Sequence, residues 1–169
     1  MITARLDLRP VALDDVEDLF LITSDPATWQ HAPDGVHRDR EVTLDWIRRA
    51  AKRWDSDGLS YWLARRRDDG EVIGVGGAQR QRTGNWNLYY RLSPHAWGHG
   101  YATELSRAAL DAAHAVDNTV PVLAWVLEDN TASVRVAERL GLTNHGPQID
   151  PSDGQTRLAY ADRPVTAFH

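Results

Sequence analysis

The stretch of sequence that decides the fold runs Leu92-Ser93-Pro94-His95-Ala96-Trp97-Gly98-His99-Gly100-Tyr101-Ala102-Thr103-Glu104. A strand pattern ends at its first residues, and a helical pattern begins at Tyr101. Gly98 and Gly100 lie at this junction, where glycine permits positive φ and a close approach of a ligand to the main chain. The helix start adds unpaired N–H groups and the positive end of the helix dipole. The junction therefore predicts an anion site, and a pyrophosphate fits it.

Two familiar phosphate loops fit this stretch poorly. A Walker loop ends in Gly-Lys-Ser/Thr, which does not occur here. A dinucleotide fingerprint needs a third small residue where Thr103 stands, and it usually opens the first β-α-β unit of a chain. Because Gly-x-Gly at a strand–helix junction is a weak signal by itself, a tight turn without a ligand stays open at this point.

Hydrophobic periodicity on both sides of the junction predicts strands and helices in a mixed order. Asp68, Asp69 and Gly70 predict a hairpin, while Asn130 and Gly141 mark the two ends of the last helix. The predicted strands cover 6–10, 59–67, 72–79, 85–92, 122–127, 142–145 and 155–161. The first predicted helix begins near 14, and the second follows a loop at 25–39. Two further predicted helices cover 101–116 and 131–140. This order predicts an α/β fold with antiparallel hairpins first and one β-α-β crossover after them.

Length and composition favour one domain over residues 1–169, without repeats or a linker. An apolar fraction of 42% and seven tryptophans are typical of a globular chain. The chain has no cysteine, which excludes disulfides, a thiolate nucleophile and cysteine-bound zinc.

Charge and hydropathy limit the partners and the location. The net charge of −5 argues against a broad nucleic-acid surface. Charged residues follow the first methionine too soon for a signal peptide, and no run approaches the ~18 apolar residues that would span a membrane. The sequence therefore predicts a cytoplasmic protein that binds neither nucleic acid nor membrane.

Two blocks of the sequence carry a resemblance to a known family. The stretch from His95 to Leu105 resembles the coenzyme A motif of GNAT acyltransferases, commonly Gln/Arg-x-x-Gly-x-Gly/Ala. The stretch from Asn130 to Leu142 is similar to a second segment of the same family, in the branch of the ribosomal-protein N-terminal alanine acetyltransferases. The resemblance implies a GNAT acyl-CoA N-acyltransferase fold. Such a fold has a mixed, mostly antiparallel sheet, splayed between strands 4 and 5, with helices on both faces.

The resemblance also implies acetyl-CoA as the acyl donor and a set of residues that bind it. The pyrophosphate would be held by main-chain amides from Trp97 to Ala102, and Asn130 would hold the pantetheine arm. His95 departs from the usual Gln or Arg at the opening position of the motif. The implied donor-binding residues are Leu92, His95, Trp97, Gly98, His99, Gly100, Tyr101, Ala102, Thr103, Asn130 and Arg135.

The resemblance gives Ser133 and Asn87 the catalytic positions. Ser133 would donate a hydrogen bond or proton to the leaving thiolate. Without a function, Asn130 would be explained as a helix N-cap and Ser133 as an ordinary residue of the first helical turn. Many relatives have a glutamate where Asn87 stands, and an amide cannot accept a proton but can position a water. Tyr89 replaces a glycine on the same face. The sequence therefore predicts no direct carboxylate base on this strand.

The acceptor would bind beside the loop between the first two helices. Trp29, His31 and His37 are the candidate acceptor-binding residues, and histidine has a suitable pKa for a base. The seven histidines show no metal-ligand spacing, so no metal is predicted.

These observations predict an N-acetyltransferase that acylates a primary amine directly. The acceptor is either a protein N-terminus or a small amine-bearing molecule, and a homodimer is possible through the last strands. A non-catalytic acyl-CoA sensor and a Rossmann-type nucleotide-binding domain remain as alternatives. The sensor would bind the coenzyme without acyl transfer, whereas the Rossmann domain would bind NAD.

Overall fold

A computed structural model describes residues 1–165 and Phe168 of the chain. Its described part forms a seven-stranded sheet in the order β1-β2-β3-β4-β5-β7-β6. The strands are β1 (Leu6–Pro10), β2 (Tyr61–Arg66), β3 (Val72–Arg80), β4 (Trp86–Leu92), β5 (Val122–Val126), β6 (Thr143–Ile149) and β7 (Thr156–Ala161). The α-helices are α1 (Val16–Thr23), α2 (Arg40–Asp57), α3 (Tyr101–Val116) and α4 (Thr131–Arg139). Single 3-10 turns cover Leu13–Asp15, Pro26–Trp29, Pro33–Gly35 and Pro94–Ala96.

The predicted order of elements is confirmed, and the largest shift in the end of a strand is at β6, which ends at Ile149. The sequence predicts that this strand ends at His145, because Gly146 and Pro147 are typical of a turn. In the structure a bulge between Asn144 and Pro147 shifts the register, and pairing with β7 resumes beyond it. Gly146 supplies the positive φ of 76° that this bulge requires. The strand therefore continues through residues that usually end one.

One pair of neighbouring strands in the described sheet, β4 and β5, runs parallel, and the others run antiparallel. This arrangement excludes the doubly wound parallel sheet of the Rossmann alternative. The β4–β5 pairing consists of Trp86 with Val122 and Asn87 with Leu123, and ends there. Beyond these two pairs the strands diverge, which confirms the predicted splay. We call this divergence the β4–β5 fork.

Helices cover both faces of the sheet, as predicted. On one face α3 and α4 pack over a core that includes Trp86, Leu88 and Leu92 of β4. On the other face α1 and α2 pack against a smaller cluster, to which Tyr89 of β4 contributes. Glycine allows α3 to lie close to β3, since a Cβ at Gly76 would come within 2.7 Å of the α3 side chain of Leu105. None of the described helices is long and apolar enough to cross a membrane.

Candidate functional site

The turn between β4 and α3 combines two glycines with the start of a helix. Gly98 and Gly100 have φ angles of 79° and 81°, the left-handed conformation that glycine adopts without strain. Gly100 is the N-cap of α3, and its carbonyl accepts the first bond of the helix from the Glu104 N–H at 3.1 Å. The N–H groups of the three residues between them have no carbonyl within the helix. The turn therefore offers unpaired main-chain N–H groups to an anion, and the anion site stays a prediction.

Arg5, from the segment that leads into β1, fixes the far side of this turn. Its Nη1 donates to the carbonyl of His99 at 2.7 Å, and its Nε donates to Oε2 of Glu104 at the same distance. The other Glu104 oxygen accepts from the Arg5 main-chain N–H at 2.7 Å and from the Thr3 hydroxyl at 2.6 Å. The guanidinium also lies 4.6 Å from the centre of the Tyr101 ring. These contacts fix the His99 carbonyl and the Glu104 carboxylate against the segment that precedes β1.

His95 and Trp97 have partners of their own in the turn. The Nε2 of His95 lies 2.9 Å from Oε1 of Glu71, and its Nδ1 lies 2.9 Å from the Ser93 hydroxyl. The indole N–H of Trp97 donates to the carbonyl of Leu92 at 2.9 Å, while 44% of the residue stays exposed. His95 is therefore directed toward a carboxylate, which fits its departure from the usual residue at the opening position of the motif.

The edge of β4 beyond the fork offers main-chain groups to an extended ligand. The Trp86 N–H donates to Pro121, on the β5 side, while the Ser93 N–H donates to Ile73, on the β3 side. Because the direction of main-chain groups alternates along a strand, those of Leu88, Tyr90 and Leu92 face the fork. β5 pairs with neither Tyr90 nor Leu92 there, and the Leu92 carbonyl already accepts from the Trp97 indole. An extended chain with amide groups could occupy this gap as a strand would.

Asn130 and Ser133 lie where α4 begins, across the fork from β4. The Asn130 side-chain oxygen accepts from the Ser133 main-chain N–H at 3.1 Å, so Asn130 acts as an N-cap. The Tyr90 hydroxyl donates to the Ser133 hydroxyl at 2.8 Å. Burial raises the pKa of Tyr90, although the bond to Ser133 acts in the opposite direction. Arg135 is exposed one turn further along α4.

The α1–α2 face of the fork carries buried polar atoms without partners. Asn87, in the last β4–β5 pair, has its side-chain oxygen buried and unbonded within the described part of the chain. Within that described part, the side-chain amide nitrogen of Gln81 and Nε2 of His145 also have no hydrogen-bond partner. The indole of Trp125 donates to the Gln81 side-chain oxygen at 3.1 Å. Such atoms are uncommon in folded proteins, and a bound polar ligand or water would satisfy them.

The loop between α1 and α2 packs against the end of β4. The Arg91 guanidinium lies 3.2 Å from the centre of the Trp29 ring and donates to the Thr28 carbonyl. His31 Nδ1 reaches within 3.5 Å of Oδ1 of Asp129, the residue before Asn130. The loop therefore closes one side of the fork, and Trp29 and His31 line that side.

His37 is more enclosed than its place in a polar loop suggested. It is 7% exposed, and its Nδ1 lies 2.8 Å from the Thr43 hydroxyl. Burial lowers the pKa of His37, and the charges of Arg91 and Arg49 lower it further. The imidazole is thus held neutral, and one of its nitrogens is already engaged.

The structure collects the predicted donor residues at the carboxyl ends of β4 and β5. The glycine turn, Leu92, Asn130 and Ser133 surround the fork on its α3–α4 face, while Asn87, Trp29, His31 and His37 lie on the α1–α2 face. Their roles stay predictions. Among the described residues, no group of three or more histidines and carboxylates is arranged to hold a metal ion.

Sequence reasoning missed several residues that the structure places at this site. Tyr90, Arg91 and the Arg5–Glu104 pair were not among the candidates. Alternation along β4 put Tyr90 and Arg91 on their correct faces, but it gave no partner for either. Arg5 carried no signal, because its contacts lie 94 and 99 positions away.

Comparisons with known proteins agree with this geometry. The model of a family described as an acetyltransferase (GNAT) domain matches residues 5–143. An uncharacterized protein of Bacillus subtilis, YkkB, is 30% identical over 146 residues, which are 84% of each chain. A crystal structure of an acetyltransferase from Agrobacterium tumefaciens is 26% identical, with a TM-score of 0.80 over 97% of this chain and 94% of that one. RimL, a ribosomal-protein α-N-acetyltransferase in complex with coenzyme A, shares the fold at 18% identity, with a TM-score of 0.77 over 95% of each chain.

Proposed function

We infer the activity from one premise: this chain belongs to the GNAT family of acetyltransferases, because the family model spans most of its length. It is therefore an acyl-CoA-dependent acetyltransferase, with acetyl-CoA as its acyl donor. We propose that it transfers the acetyl group directly to a primary amine, either a protein N-terminus or a small amine-bearing molecule. The single-domain organisation, the cytoplasmic location and a homodimer are proposals of the same kind.

The observation that carries the donor site is the unpaired main chain around the fork. Amides of the turn from Gly98 to Ala102 would bind the pyrophosphate, because they combine left-handed glycines with a helix N-terminus. The N–H of Trp97, which the sequence also assigned to this set, is already bonded to the Pro94 carbonyl at 3.1 Å. The pantetheine arm would then extend along the free edge of β4, with its thioester near Asn87 at the closed end of the fork. Asn130 would bind an amide of the arm, and Arg135 would contribute charge near the phosphates.

Acyl transfer from a thioester needs a neutral amine, a polarised carbonyl and a stabilised thiolate. A lysine-like amine is almost fully protonated at pH 7, a handicap of roughly 4–5 kcal/mol, whereas an α-amine faces only about 1.4 kcal/mol. The amide of Asn87 cannot remove that proton, but its unbonded oxygen is placed to accept a hydrogen bond from an amine or a water. We therefore propose that the enzyme prefers amines of lower pKa.

The reaction proceeds without an acyl-enzyme intermediate in this proposal. The chain has no cysteine to act as a nucleophile. Ser133 lies on the α4 side of the fork, away from Asn87, and is assigned to the leaving group. Trp29, His31 and His37 would border the acceptor.

A panel of acceptors, assayed by release of free coenzyme A thiol, tests this proposal. We expect α-amine acceptors to give higher kcat/KM than ε-amine acceptors at neutral pH, with the difference narrowing as the pH rises. A marked preference for ε-amines would contradict the assignment of Asn87. Ser133→Ala should lower turnover more than it lowers coenzyme affinity, and unchanged activity would remove Ser133 from the mechanism.

One observation favours a second candidate, a non-catalytic acyl-CoA sensor on the same fold. It is the asparagine at position 87, where many relatives have a carboxylate. A sensor would be stabilised by acetyl-CoA in a thermal-shift assay, yet would release no thiol with any acceptor. The two measurements together separate the candidates.

A further inference from the structure

We propose that Tyr90 is a positioning residue for the acyl transfer, holding the Ser133 hydroxyl so that its proton points at the leaving sulfur. This inference rests on the proposed function, because it needs a thioester in the fork. It adds a residue that lies on β4 rather than α4.

The first support is the way Ser133 is held. Asn130 accepts a bond from its main-chain N–H at 3.1 Å, and Tyr90 donates to its hydroxyl oxygen at 2.8 Å. Tyr90 lies past the last β4–β5 pair, so its side chain bridges from the free part of β4 to the start of α4. Ser133 is therefore fixed at both its main chain and its side chain, next to the space assigned to the pantetheine arm.

The second support is the direction of the hydrogen bond. A hydroxyl has one hydrogen to donate, and its oxygen can also accept. Because Tyr90 donates into the Ser133 oxygen, the Ser133 hydrogen is left for another acceptor. Within the described residues the Ser133 hydroxyl donates to no protein atom. The phenol also remains protonated at neutral pH, since burial raises the pKa of Tyr90.

The chemical step follows from this arrangement. The amine nitrogen forms a bond to the thioester carbon, and the C–S bond then breaks with its electron pair going to sulfur. The hydroxyl hydrogen of Ser133 forms a hydrogen bond to the developing thiolate. The hydrogen bond from Tyr90 strengthens this interaction by polarising the Ser133 hydroxyl. The proton lost by the amine reaches solvent, which later supplies the thiol proton. Neither hydroxyl changes its protonation state.

The test is a double-mutant cycle with Tyr90→Phe and Ser133→Ala. We expect Tyr90→Phe to lower kcat by roughly fivefold to tenfold, the loss typical of one hydrogen bond, with little change in KM for acetyl-CoA. When Ser133 is already replaced by alanine, Tyr90→Phe should cause no further loss of kcat, because the hydroxyl that Tyr90 positions is absent. Equal losses in both backgrounds would overturn the proposal, and so would an undiminished kcat in Tyr90→Phe.

Tyr160→Phe is the matched control. Tyr160 is a tyrosine of the same sheet, buried where Tyr90 is half-buried, and its hydroxyl accepts a bond from the Asn144 side chain at 3.2 Å. It lies on β7 outside the proposed machinery, so its loss should leave kcat unchanged. Melting temperatures of all variants would show whether each one folds.

A second measurement needs no acceptor. The ultraviolet absorbance of the thiolate reports the thiol pKa of bound coenzyme A. We expect this pKa to be higher in Tyr90→Phe and in Ser133→Ala than in the wild type, and an unchanged value would overturn the proposal. Failure of the proposed function would look different, because the wild type would then either not bind coenzyme A or acetylate no amine despite binding it.

Discussion

The guanidinium of Arg5 donates a hydrogen bond of 2.7 Å to the main-chain carbonyl of His99. The bond joins the start of the chain to the middle of the turn that is proposed to bind the pyrophosphate. Since the same guanidinium is paired with Glu104, its orientation is fixed from a second direction. The N-terminal segment therefore helps to hold the turn that is proposed to bind the pyrophosphate.

Replacing Arg5 with alanine should weaken donor binding. The turn would lose the bond that orients the His99 carbonyl, and we expect the Kd for coenzyme A to rise by roughly tenfold, the equivalent of one charge-assisted hydrogen bond. Isothermal titration calorimetry would measure it. Arg48→Ala on α2 is the control, since Arg48 is also partly exposed and contacts two carboxylates. An equal effect of both substitutions would mean that Arg5 acts only through general charge.

Gly98→Ala should separate stability from binding. Gly98 and Gly84 both have left-handed φ angles, 79° and 88°, and a Cβ at either position meets no atom within 4 Å. Each substitution should therefore destabilise the fold by about 1–2 kcal/mol through φ alone. We expect only Gly98→Ala to lose affinity for coenzyme A, because Gly98 lies in the turn proposed to bind the pyrophosphate, whereas Gly84 lies between β3 and β4. Comparable affinities in the two variants would contradict the assigned phosphate site.

Arg91→Lys should affect the acceptor and spare the donor. Lysine cannot reproduce the planar stacking on Trp29 together with the bonds to Thr28 and Tyr89. The α1–α2 loop would be held less firmly, and we expect KM for the amine to rise by roughly threefold to tenfold at constant KM for acetyl-CoA. Arg65→Lys on β2 is the control. A rise in the acetyl-CoA KM instead would place the loop at the donor side.

His37 should make stability depend on pH. Because its pKa is lowered in the folded protein, the unfolded chain binds the proton more tightly. The stabilising contribution of neutral His37 is therefore complete above the ordinary pKa of 6.5 and is lost as the pH falls from there toward the lowered value. In His37→Asn, which keeps a side chain able to bond to Thr43, the melting temperature should fall less over that range. Parallel curves for the two proteins would contradict this account.

Local patterns in the sequence predict much of the fold. The turn from Leu92 to Gly100 can be recognised because glycine, a strand end and a helix start lie within a few residues. The same holds for Asn130 as the N-cap of α4. Alternation along the chain is enough to place Asn87 and Tyr90 on opposite faces of β4. The order of elements follows from such signals alone.

Contacts between distant parts of the chain could not be predicted. The bond from Tyr90 to Ser133 depends on how far β4 and α4 lie apart across the fork, which no local pattern encodes. The sequence places His37 in an exposed polar loop, yet the structure buries it, because the loop turns inward to pack between Trp29 and Trp46. Sequence reasoning thus finds the glycine turn and the start of α4, and misses the side-chain contacts that join distant parts of the chain around them.

The shortness of the β4–β5 pairing has a mechanical consequence. Two residue pairs join β4 to β5, so the sheet consists of two more extensively paired parts, β1 to β4 and β5 to β7, with a short connection between them. Bending between β4 and β5 would change the width of the fork more than the pairing within either part of the sheet. An acyl donor hydrogen-bonded to both β4 and β5 would hold the two strands together. Amide hydrogens on the facing edges of β4 and β5 should therefore exchange with solvent more slowly when the donor is bound.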